Sequence, residues 1–364
     1  MPDFLGEATR LANTASDSSA RLFAELDAAI YCSRKGDESD ASKWIARMRR
    51  CESQATEAEC VSAANLAEGV LAFCQSRYTQ AADKLRRAES LCLIRRNDRL
   101  LRMVLAWSAH VEFNDGRLNV VPELLKRAIT AVPSTEHLTL ARVASTLAMA
   151  LHHADRYDLA RPWYERARRE AVAAGDDQGI DAVLHNTVAF RVNNLRLASL
   201  AGEPIEQDLL RAEQEYASSV TYDAMKAPES FRWSLPLVAQ QLAILRNRFD
   251  EARTGLEDWI SHFADQAPDR LRGVAQADLA LACASVGSID DALAHMSIVD
   301  RTPSDNQTLD ETATIQFRRH QLAGLMGRED EAQAYLAAAL EALQGHRHEQ
   351  AAVVAALGDF NIDT

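Results

Sequence analysis

One turn recurs along this chain at an almost constant interval, and it limits the possible folds more than any other feature. The stretch "RNRFDEA" (246–252) is echoed by "ADRYDLA" (154–160), "GSIDDA" (287–292) and "GREDEA" (327–332). Phe249, Ile289 and Glu329 stand 40 residues apart, and Tyr157, Leu118 and Tyr78 hold the same place at steps of 39 and 40. A fixed period of this length marks stacked copies of one supersecondary unit. Only the step from 157 to 249 is long, at 92 residues, so a diverged unit lies between them.

The residue types inside each period predict a helical hairpin. Ala, Leu, Arg and Glu dominate a chain of 364 residues that holds only 14 Gly and 9 Pro, which favours helix almost throughout. A helical segment such as "RGVAQADLALACASV" (272–286) precedes each turn. The turn holds Gly, Asn or Asp, which tolerate the left-handed backbone that ends a helix. Acids such as Asp250–Glu251 and Asp290–Asp291 follow, where the positive end of the next helix dipole favours them. Ala252, Ala292 and Ala332 then sit three residues after Phe249, Ile289 and Glu329, on the same helical face, and are small enough to let two helices approach.

This arrangement resembles the tetratricopeptide repeat (TPR) family, in a long-period form similar to that of bacterial regulatory proteins. The family's small first-helix residue falls on Gly69, Ala109, Ala148 and Ala280, and its turn glycine on Gly116, Gly287 and Gly327. Its turn-following aromatic falls on Tyr78, Tyr157 and Phe249. Its second-helix alanines fall on Ala81, Ala160, Ala252, Ala292 and Ala332, with Ala88, Ala128, Ala167 and Ala339 further on. The first-helix Trp and most closing prolines are missing, Val121 replaces one alanine, and the period is near 40 instead of about 34. The resemblance implies an all-α, right-handed α-solenoid with a C-terminal capping helix. We expect residues 1–20 to form a tail or partial helix. Residues 21–345 should form about seven to eight hairpins with an irregular unit near 177–230, and 346–364 a capping helix and tail.

Charge narrows the partners. The net charge is −13, and its excess lies in the second half: residues 1–180 carry 25 basic and 25 acidic side chains, residues 181–364 carry 15 and 28. Such a surface repels phosphate backbones, so no nucleic acid is expected. Arg95, Arg96, Arg99 and Arg102 cluster in the neutral half and form a candidate patch for an acidic partner, set against a plain solvated helix face. The six cysteines form no C-x-x-C pair and read as reduced helix residues of a cytoplasmic protein. The start "MPDFLGEATR" lacks an apolar h-region, and no apolar run spans a bilayer, so no membrane association is expected.

No catalytic or cofactor motif is present: no nucleophile elbow, no Walker loop and no dinucleotide-binding glycine pattern. "HH" (152–153) and "HRH" (346–348) lack further ligands at metal-binding spacing and read as surface or helix-end residues. The chain is therefore expected to be no enzyme and to hold no metal or cofactor. The diverged unit offers more. In "DAVLHNTVAFRVNNLRLASLAG" (181–202), a helix places Val183, Leu184, Thr187 and Leu195 on one side and His185, Asn186, Asn193 and Arg196 on the other. In the TPR family first helices line the concave groove, so this polar stripe is the candidate partner-binding site; a solvated face is the competing explanation. The punctuation "AGEP" and "KAPES" marks 203–230 as an irregular insertion. Two functions fit: a non-catalytic scaffold gripping a protein or peptide segment in its groove, or a sensory protein that binds a small-molecule or peptide signal and controls a separate transcription regulator or diguanylate cyclase. Homodimer formation is open in both.

Overall fold

The repeated turns and the helices they separate give a solenoid. The computed structural model describes residues 3–50, 57–226, 231–302, 307–358 and 360. Among them are seventeen α-helices, one 3-10 turn (Leu118–Val120) and no strand. The first half contains α1 (Phe4–Thr14), α2 (Ser18–Lys35), α3 (Glu38–Arg49), α4 (Glu57–Cys74), α5 (Tyr78–Arg95), α6 (Asp98–Asn114), α7 (Val121–Ile129), α8 (His137–His153) and α9 (Tyr157–Ala174). The second half contains α10 (Asp177–Leu200), α11 (Glu206–Lys226), α12 (Ser234–Leu245), α13 (Phe249–Phe263), α14 (Asp269–Ser285), α15 (Ile289–Arg301), α16 (Leu309–Leu325) and α17 (Glu329–Leu357). Helix α1 precedes eight hairpins that run from α2–α3 to α16–α17.

The six aligned turns share one backbone device. Ser76, Gly116, Asp155, Asn247, Gly287 and Gly327 all have positive φ, between 55° and 89°. At Asn247 the reversal is closed by Arg248 N–H donating to Ala243 O at 2.8 Å and Asn247 N–H donating to Ile244 O at 2.9 Å. These bonds satisfy carbonyls that the ending helix would otherwise leave unpaired. The small residues then let each hairpin close: Ala81, Ala160, Ala252 and Ala292 are completely buried. At Gly69 an added Cβ would meet Leu85 at 3.0 Å and Ala81 O at 3.3 Å, so α4 and α5 touch there almost backbone to backbone.

The structure departs from expectation in two places. The described part of 203–230 is mostly helix: after a turn at 201–202, Glu206–Lys226 pair with α10 as a hairpin of unusually long helices. The period of Leu209, Ala212 and Tyr216 supplies an apolar face against α10, and Arg191 clasps Glu215 with two bonds of 2.7 and 2.8 Å. Within "KAPES", residues 227–230 lie outside the described set. At the other end, no separate helix begins at 346. Helix α17 runs unbroken for 29 residues, because "GHRHEQAAVV" contains no proline and only one glycine.

That long helix bends the array back on itself. Val353 and Leu357 of α17 join the core formed by α6, α7 and α8. Gln350 Nε2 donates to His153 O at 2.6 Å, and the rings of His153 and His346 meet edge to face at 4.9 Å. Further bonds cross between the halves: Ser76 Oγ donates to Gln266 O at 3.2 Å, and Arg270 donates to Asn114 O at 3.0 Å. These contacts bring the two halves and α17 together around the concave side of the solenoid.

Candidate binding cavity

The first helices of the hairpins line a cavity of about 620 Å³ inside this closed superhelix. Its wall draws Phe73 from α4, Trp107 and His110 from α6, Arg142 and Met149 from α8, and Gln241 from α12. All four candidate residues of α10, His185, Asn186, Asn193 and Arg196, are in that wall. A stripe with helical period on an inner helix points inward together, which is why one face of α10 supplies them.

Their surroundings differ. His185 Nε2 lies 2.8 Å from Asp223 and 3.4 Å from Asp181. Burial alone would lower the imidazole pKa, but the bond to Asp223 and the two carboxylate charges outweigh it and raise the value. Asp181 is pushed up to about 6, first by burial and then by the neighbouring Asp223. Among the described residues, these three are the one grouping whose donor atoms, all within 4.8 Å of one another, could hold a metal ion. Sequence spacing hides it, because Asp223 comes from α11.

Asn186 donates only to the Met149 sulfur, at 3.1 Å, a weak acceptor that leaves most of the amide's bonding capacity available. Gln241 is buried in the same wall, and among the described residues its amide makes no side-chain hydrogen bond. Asn193 is committed to Asp310 at 2.9 Å. Arg196 is a structural clamp. It holds Asp278 at 2.8 and 3.0 Å, while Arg318 donates to the same carboxylate at 2.7 Å. This buried triad ties α10, α14 and α16 together.

Arg142 was not singled out by the sequence, yet it is the least compensated charge in the wall. Four other cavity arginines have carboxylates: Arg34 with Asp176, Arg117 with Asp115, Arg196 with Asp278 and Arg270 with Glu311. Among the described residues none gives Arg142 an ion pair. Its guanidinium carbon stacks 3.8 Å from the Trp107 ring centre, one nitrogen faces His110 Nε2 at 3.4 Å, and Nε has no partner. Burial, followed by the charge of Arg34, pushes its pKa down to about 9. The signal lay in an isolated cation inside the apolar run "LTLARVASTLAMAL" (138–151).

The four arginines of the candidate acidic-partner patch lie away from the cavity, whereas His153 and His346 are in its wall. Arg95, Arg96 and Arg99 are exposed, and Arg99 stacks 3.7 Å over Phe23. Arg102 is half-buried, with its Nε donating to Glu136 at 3.1 Å, so the four do not present one free patch. The histidine clusters are not on the surface. His152 and His153 end α8 but are buried, and His346 is buried in the body of α17; only His348 is exposed. Closure of the array covers them. Cys32, Cys74, Cys92 and Cys283 are free thiols, and Cys51 lies outside the described residues.

The fold and the cavity together define an α-solenoid of TPR-like hairpins wrapped round an internal chamber. The same architecture is seen in the crystal structure of a Rap protein complexed with competence and sporulation factor. It superposes with a TM-score of 0.58 over 95% of this chain and 98% of that chain, at 12% sequence identity. No protein-family model matches the sequence, and no curated protein matches it. At that identity the likeness shows the fold. No helix is long and apolar enough to cross a membrane among the described residues.

Proposed function

We propose that this chain is a non-catalytic regulatory binding protein that takes a short peptide into its concave cavity and passes the occupied state to a separate output protein. The observation that carries this reading is a concave cavity of about 620 Å³ whose wall holds underused amides at Asn186 and Gln241. Amides with spare bonding capacity can take further partners, and a peptide backbone offers alternating donors and acceptors. The size lies within the range of small-ligand sites. The Rap structure, complexed with a factor, supports a ligand-holding role for this architecture.

Incubating the purified chain with a library of short random peptides, then identifying the retained species by mass spectrometry, tests the reading. Ala189→Trp, which places an indole on the cavity wall, should abolish retention while the protein stays folded. Equal retention by this variant would place the site elsewhere. A scaffold reading keeps one favouring observation: Leu93 and Ile94 are 53% and 75% exposed beside Arg95 and Arg96, on the outer surface. It predicts a stoichiometric protein partner whose binding is lost in Ile94→Asp and unaffected by Ala189→Trp.

A further inference from the structure

We infer that the peptide is anchored by a carboxylate that docks on Arg142, an inference that rests on the peptide-cavity reading above. Arg142 is 8% exposed and presents its guanidinium to the chamber. The groups it touches orient the cation without pairing with it, and the nearest opposing charge, Asp176, is already held by Arg34. Thr146 Oγ1 donates to Arg142 O at 3.0 Å, so its oxygen accepts from His110 Nδ1–H at 3.2 Å. That leaves the His110 Nε2 lone pair facing the guanidinium at 3.4 Å. Burial and the charges of Arg142 and Arg34 keep His110 neutral, its pKa well below the usual value. Trp107, itself buried, covers one face of the guanidinium.

A buried guanidinium without an anion is costly, and its fork matches a carboxylate with two parallel bonds. The neighbouring arginine does not compete for the ligand, because Arg34 already holds Asp176 at 2.6 Å. A carboxylate on Arg142 would also have Asn186 of α10 in the same wall for the adjoining backbone. The carboxylate could be a peptide C-terminus or an Asp or Glu side chain, and both present the same two oxygens.

Three synthetic hexapeptide pools separate the cases: free C-termini without Asp or Glu, amidated C-termini with Asp and Glu, and amidated C-termini without either. The wild-type chain should retain at least one of the first two pools and bind members of the third at least about tenfold more weakly. The pool retained identifies the source of the carboxylate. Retention of the third pool at equal strength overturns the dock but leaves the peptide-cavity reading intact. Retention of none removes both. Arg142→Met should abolish the preference between pools, and Arg142→Lys should keep part of it. In the empty protein Arg142→Met should leave the unfolding midpoint unchanged or higher. A marked fall would assign Arg142 a structural role and count against the dock.

Discussion

Arg196 and Asp278 show how a wall residue can be structural. One fully buried carboxylate serves two guanidiniums, so the members of the triad are not equivalent. Asp278→Ala leaves two buried cations unpaired and should destabilise by about 3–5 kcal/mol. Arg196→Ala leaves the Arg318–Asp278 pair intact and should cost distinctly less. Urea unfolding of both variants checks the order; a larger loss for Arg196→Ala would contradict it. Asn186 is the contrasting case, because its bond to a thioether contributes little. Asn186→Ala should weaken peptide retention without moving the urea midpoint. The sequence placed both residues on the inner face of one helix, by the 100° rotation per residue. It could not separate clamp from contact, because Asp278 lies 82 residues from Arg196 and only the folded array brings them together.

At the scale of the element, the turn and the alanine that follows it make separate contributions. Gly287 has φ of +89°, and an added Cβ would meet nothing within 4 Å. Gly287→Ala therefore isolates backbone strain and should cost about 1–2 kcal/mol. Ala252 is completely buried between α12 and α13. Ala252→Trp should destabilise by about 1–3 kcal/mol through overpacking, with hydrogen exchange rising in those two helices before the rest. A wild-type exchange pattern there would place Ala252 outside the hairpin contact. These elements were legible because local chemistry sets them: left-handed turn residues, dipole-matched acids and small contact residues all recur in register. Ser76 gives no such signal, since serine carries no preference for positive φ comparable to that of glycine or asparagine. Helix α11 is harder to read inside the irregular insertion, because its bounding "AGEP" and "KAPES" outweigh the weak period between them.

At the scale of the whole molecule, the property that creates the cavity is closure, and closure depends on contacts across almost two hundred residues. No local signal announces that the last turns of α17 reach α8. The junction is built on buried histidines. Burial holds His153 down to about 4, and His346 is likewise lowered by burial. In the opened or unfolded chain both would take up a proton near the ordinary value of about 6.5. The open state therefore binds more protons between these limits, and closure is fully favoured above about 6.5 and weakens as the pH falls toward 4. Small-angle scattering should show the radius of gyration increasing between pH 7 and pH 5, with helix content retained. His346→Gln, which cannot charge, should flatten this response. Truncation after residue 345 should give the expanded form already at pH 7, because it removes Val353 and Leu357 from the core of α6 to α8. If the truncated chain keeps the compact radius, the N-terminal crossings at Gln266 and Asn114 hold the superhelix shut on their own, and peptide entry would have to pass between them.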